Sequence, residues 1–127
     1  MSNVNKICQN LDLPVGDNFT QDWAHELPDE YRTKKWLEKY ILAYQNGDYT
    51  EEEKNELMSL SLDVSNDLLS SGVNPNDVII VKVLNILFEN RKKHIELIEY
   101  WSLDDEPIED CFALTNQIRQ LKKSMLF

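Results

Sequence analysis

Two histidines, two cysteines and two dense groups of carboxylates are the side chains with the means to do chemistry in this sequence. Neither His25 nor His94 has a second His, Cys or carboxylate at the spacing of a zinc helix or a di-iron helix pair, so no metal and no cofactor is expected. His94 follows Arg91-Lys92-Lys93 and reads as part of a basic helical turn; His25, in Trp23-Ala24-His25-Glu26, reads as half-buried against the aromatic ring. Cys8 and Cys111 lack the Gly-rich elbow of a nucleophile, and both read as reduced core thiols, with a disulfide between them left open. The 3 glycines do not cluster, which removes phosphate-cradling loops and dinucleotide fingerprints. No catalytic residue is assigned, and a non-enzymatic protein is expected.

The acidic groups are Glu51-Glu52-Glu53 with Glu56, and Asp104-Asp105-Glu106 with Glu109 and Asp110. Each falls where a helix is expected to start, and carboxylates there stabilise a helix by ~0.3–1 kcal/mol apiece without any further role. The second reading is a contact surface for a basic protein. Glu56, Asp63 and Asp67 bear on it, because they lie past the first turn, where the helix dipole no longer accounts for them, and they share one helical face. Tyr100 and Trp101 adjoin Asp104 and Asp105, and a rigid ring beside carboxylates suits a binding surface. These seven residues are the candidate partner contacts. Tyr49, beside the first acidic group, is the other ring placed in this way.

The chain has 127 residues, of which 42% are hydrophobic and 28% charged, and one helical domain is expected over its whole length. Its formal net charge of −10 argues against nucleic acid and anionic membranes, since phosphate binding needs concentrated Lys and Arg. The excess is uneven: residues 51–72 hold six carboxylates against Lys54, whereas the charges in 73–103 cancel. The longest aliphatic run, Val78 to Val81, is far too short to span a bilayer, and the first ten residues have none of the parts of a secretory signal, so a cytoplasmic location is expected.

Helices must position these residues, because apolar side chains recur every three or four positions between few Gly and Pro. Four main helices are expected. The first runs from Pro28 to about Gln45 with Trp36, Leu37, Tyr40, Ile41 and Tyr44 buried, and the second over 51–71 from a Thr50–Glu53 capping box to Gly72. The third starts at Asn74-Pro75 and runs to 102, because Lys82, Asn85, Glu89, Lys92, Glu96 and Glu99 keep a helical period; Asn90 is its weakest point. It is expected to be the central element, buried on most sides in its first half. The fourth begins at 105–107 with Ile108, Cys111, Leu114, Ile118, Leu121 and Met125 as its stripe. A short helix over Asn3 to Asn10 and an ordered connection over 12–27 precede them.

Size, helical make-up and acidity together resemble the small immunity proteins that bacteria make against their own toxins, including those of contact-dependent growth inhibition. Asp48-Tyr49-Thr50-Glu51 resembles the opening of the first helix of the nuclease-colicin immunity family. Ile98-Glu99-Tyr100-Trp101-Ser102 resembles that family's Tyr-Tyr-Pro toxin-binding segment, with Trp101 and Ser102 in place of the second Tyr and the Pro. The resemblance implies an all-α protein that binds and neutralises a basic, nuclease-type toxin domain, with Tyr100 and Trp101 as contacts. The alternative expectation is a helical adaptor or regulatory subunit that binds a host protein through an apolar groove.

Overall fold

The computed structural model describes residues 5–13 and 27–125, and among them every regular element is helical. Most of the expected connection over 12–27, including Trp23 and His25, lies outside the described residues, as do residues 3 and 4 of the expected first helix. No described helix is long and apolar enough to cross a membrane. The chain divides into two compact units, Met1–Val64 and Ser65–Phe127.

The first unit holds α1 (Asn5–Leu11), α2 (Lys34–Asn46) and most of α3 (Glu51–Ser70). Ile7 and Cys8 of α1 are fully buried, and burial pushes the Cys8 thiol up to about 11. The helix expected from Pro28 starts later, after a 3-10 turn at Asp29–Tyr31, because Thr33 takes the cap by accepting from the Trp36 amide at 3.3 Å. The interruption leaves the Tyr31 carbonyl to accept from the buried Tyr40 hydroxyl at 2.7 Å. Leu37, Tyr40, Ile41 and Tyr44 are buried as expected, whereas Trp36 is half-buried, its ring edge-on to Tyr31 and covered by Lys39. Desolvation raises the Tyr44 phenol to about 12.

Between α2 and α3, Gly47 has an ordinary φ of −76°, so conformational freedom does not explain it. A Cβ there would drive into the Tyr49 ring and the Ala43 carbonyl oxygen, so the residue is glycine for lack of room. Tyr49 is half-buried rather than open: Lys6 lies over its ring, and Asn10 donates to its hydroxyl at 3.0 Å.

The capping box forms as expected, with the Glu53 amide donating to Thr50 Oγ1 at 3.2 Å and the Thr50 amide to Glu53 Oε1 at 2.8 Å. At the other end of α3, Gly72 takes φ +103°, and the Val73 and Gly72 amides return to the Leu68 and Leu69 carbonyls. These are the two bonds of a Schellman stop. The widest buried arc belongs to α3 and not, as expected, to the helix after Pro75: Leu57, Met58, Leu60, Ser61, Leu62 and Val64 have no exposed surface. Serine makes this possible, since Ser61 is small and returns its hydroxyl to the Leu57 carbonyl at 2.8 Å, which removes the penalty of burying it.

In the second unit, the single helix expected over 75–102 is instead α4 (Val78–Glu89) and α5 (Ile95–Ser102), joined through a 3-10 turn at Arg91–Lys93. Asn74 turns on itself, accepting from the Asn76 amide, so Asp77 becomes the cap. The break falls at Asn90, whose side chain donates to the Ile86 carbonyl at 2.9 Å while Arg91 claims the Phe88 carbonyl. The Ile86 carbonyl keeps the Asn90 amide as well, whereas at Phe88 a guanidinium serves the carbonyl at which the helix stops. His94, expected within a basic helical turn, is buried at the start of α5. Nor is the first half of α4 buried on most sides: Ile79, Ile80 and Val83 are inside, but Val78 and Val81 are exposed.

The expected helix from 105–107 is also shorter: α6 (Thr115–Ser124) has no acid in its first turn. Leu103 enters the left-handed region at φ +42°, and Pro107 leads only a 3-10 turn, so Ile108 is exposed and Cys111 lies in extended chain. Of the predicted stripe, Leu114, Ile118 and Leu121 form the buried face, and Lys122 and Lys123 close the helix as expected. Asn66 Oδ1 accepts from the Leu114 amide at 3.0 Å and so serves the otherwise uncapped start of α6.

Candidate partner-binding surface

Adjacent residues of a helix point about 100° apart. In the last turn of α5 this sends Trp101 inward, 6% exposed, and Tyr100 outward, 57% exposed. Phe112 arrives from the loop before α6 and completes a three-ring cluster: its centroid is 4.9 Å from Trp101, edge-on, and 6.0 Å from Tyr100, near-parallel. Tyr100 and Trp101 are perpendicular at 5.3 Å. Trp101 is thus the buried footing, and Tyr100 and Phe112, with the neighbouring loop residue Ile108, leave apolar surface open. Asp105, Glu106, Glu109 and Asp110 are exposed in the intervening loop.

Two cations of α6 hold this loop. The Arg119 guanidinium donates to the Ser102 carbonyl at 2.6 Å, the Glu106 carbonyl at 2.8 Å and the Leu103 carbonyl, and it lies 3.5 Å from Cys111 Sγ. It therefore serves the Ser102 carbonyl at the end of α5, joins the Glu106 amide on the Leu103 carbonyl, and adds a cation at the negative end of that helix. One turn on, Lys122 donates to Glu99 at 3.0 Å and to Asp104. The hydrogen bond from Lys122 holds the Asp104 carboxyl below its usual range and the Lys122 ammonium above its own. Cys111, expected in the core, is partly exposed beside this clamp, and both thiols are free.

The structure thus brings Tyr100, Trp101 and Asp104 together, with Asp105 exposed on the same loop. Asp63 is different: it receives Arg32 at 2.9 Å, and the two side chains are only 14% and 5% exposed. Its carboxylate is committed to a buried cation before any partner arrives. Glu56 and Asp67 are half-buried on the same phase of α3. Sequence reasoning missed Phe112, Ile108 and Arg119. The first two were assigned to or near a helix that begins later, and nothing local marks Arg119, whose acceptors are set by where α5 ends.

The arrangement offers a supported aromatic face inside an acidic rim, chemistry suited to cationic and apolar side chains. Among the described residues no three His, Cys, Asp or Glu side chains gather as a metal-ligand set. A separate cleft of about 380 Å³ opens between α4 and α6, with Val81, Leu84, Phe88 and Leu121 inside and side-chain amides such as Asn85 and Gln117 at its edges. No protein-family model, curated protein or solved structure matches the chain.

Proposed function

We propose that this chain is a non-enzymatic immunity protein, acting in the cytoplasm as one helical-bundle domain that binds and neutralises a basic, nuclease-type toxin domain. The observation that carries the reading is the Tyr100–Trp101–Phe112 cluster within the acidic 104–110 loop, fixed from behind by Arg119 and Lys122. Rings already held in place lose little entropy on binding, which favours their use as anchors. The carboxylates around them act at longer range by steering a cationic partner into encounter. Glu56 and Asp67 on α3 add to the negative charge of the chain, as does Asp63, whose carboxylate already receives Arg32.

The test begins with a pull-down from the native host and mass spectrometry, followed by stopped-flow kinetics with the purified partner. Replacing Asp105, Glu109 and Asp110 by their amides should slow association and flatten its salt dependence without altering the fold. Tyr100→Ala should instead raise the dissociation rate by at least about 30-fold, the effect of losing a ~2 kcal/mol anchor. A partner without a basic surface, or kinetics insensitive to both changes at low salt, removes this surface from consideration.

A further inference from the structure

Helix α4 has two apolar faces. At about 100° per residue, Ile79, Ile80, Val83, Ile86 and Leu87 form the buried arc. On the opposite side Val78, Val81, Asn85 and Phe88 recur at spacings of three and four, the a and d positions of a heptad. Val78 is 83% exposed, the most of any large apolar side chain among the described residues, and Val81 is 39% exposed. This second face lies along the 380 Å³ cleft that Leu84 and Leu121 deepen. A helix apolar all round is ordinarily enclosed on all sides.

Charge identifies what fits there. Lys82 and Glu89 stand seven residues apart on one edge of the open stripe. When two such helices pair antiparallel, like edges meet in reversed order, so Lys82 of one copy falls beside Glu89 of the other, twice over. A parallel pairing puts that edge against Leu84 instead and leaves both charges unmatched. The same antiparallel register brings the basic turn Arg91–Lys93 of one copy towards Asp77 of the other, and opposes the two helix dipoles. It also sets Phe88 against Leu84 and Asn85 of the second copy. In a chain of net charge −10, the charges of residues 73–103 cancel, so this is a part where two copies approach without net repulsion.

We infer that α4 is a self-association surface, on which two copies of this chain pair antiparallel about a twofold axis beside Asn85 and Phe88. The surface is built from the second unit alone and does not depend on the toxin-binding reading.

Sedimentation velocity of the full chain in ~50 mM salt, where ion pairs are least screened, should show reversible, concentration-dependent dimerisation of the 14.9 kDa species. Lys82→Glu and Glu89→Lys should each weaken the dimer about tenfold, since each change turns two attractive pairs into two repulsive ones. The double swap Lys82→Glu/Glu89→Lys should restore affinity to within about threefold of the parent, because the pairs re-form with signs exchanged. Val81→Glu should be monomeric with unchanged circular dichroism. A parent chain that stays monomeric to about 1 mM overturns the inference. So does a double swap no stronger than either single change, or a Val81→Glu variant that dimerises as the parent does.

Discussion

Arg119→Met removes the guanidinium while keeping most of the apolar stem, so its effect isolates the carbonyl clamp at the end of α5. Hydrogen bonds to a charged donor contribute about 1.5–3 kcal/mol each where both partners are shielded. Arg119 makes three to backbone carbonyls, at Ser102, Leu103 and Glu106. The sum is not additive, because Leu103 is part-exposed and Glu106 exposed, and their carbonyls rehydrate when the guanidinium leaves. Leu103 also sits in the left-handed region, which costs ~1–2 kcal/mol for a non-glycine residue and which the loosened loop can relax. The expected loss is therefore about 2–3 kcal/mol, read as a shift of the urea midpoint at constant slope. Every opening that frees the clamp becomes easier by the same amount, so amides of residues 103–111 should exchange roughly 30–150-fold faster, as should amides that exchange only by global unfolding. The near-ultraviolet signal of the Tyr100–Trp101–Phe112 cluster should fall in parallel. Arg119→Lys should rescue only partly, since an ammonium does not span three carbonyls at once. A loss below ~0.5 kcal/mol with unaltered exchange at 103–111 would refute the account of how this surface is held.

Other expectations follow from burial and charge. Leu87→Ala, at a fully buried site, should cost ~2–5 kcal/mol in denaturant unfolding, whereas Leu84→Ala, on the wall of the open cleft, should cost clearly less; equal losses would contradict the facing of α4. Asp63→Asn should destabilise the protein by ~2–4 kcal/mol because it removes a carboxylate that the buried Arg32 cation is paired with, and a neutral result in the same assay would place Asp63 among ordinary surface acids. Cys8 should resist a thiol reagent at pH 8 in the folded state while Cys111 reacts, a difference that mass mapping of the labelled chain reads directly. Because burial raises the Cys8 thiol from 9.0 to about 11, its contribution is complete below pH 9 and lost as pH rises through 11. Cys8→Ser should accordingly shrink the alkaline fall in stability over that window.

What could be read from the sequence was local, and what could not was set by distant groups. Thr50 with Glu53, and Gly72 after Ser71, announce the two ends of α3 because every atom involved lies within a few residues. The break at Asn90 was hidden by the same periodicity that identified a helix. Lys92, Glu96 and Glu99 are all exposed on either side of the 3-10 turn at Arg91–Lys93, so the polar spacing runs on across a real interruption. The acids at 104–110 read as a helix start because carboxylates favour that position, yet Asp104 is held by Lys122 and lies just past the end of α5. For the candidate surface, Tyr100, Trp101 and Asp104 were legible from their neighbours in the chain. Phe112 and Arg119 joined them only through the turn that the left-handed Leu103 and Pro107 impose, and the pairing of Asp63 was hidden because Arg32, 31 residues away, folds onto it.

The tight fit at Gly47 bears on how kin of this chain are to be recognised. Because the obstacle to a side chain there is the Tyr49 ring together with the Ala43 carbonyl, positions 47 and 49 are not free to drift separately. A lineage that gains a Cβ at 47 must surrender the ring at 49 and let the α2 terminus recede, which also releases the grip that Lys6 and Asn10 have on that ring. Positions 47 and 49 should therefore change together, while positions 6 and 10, which touch only the ring, follow the loss of that ring without compelling it.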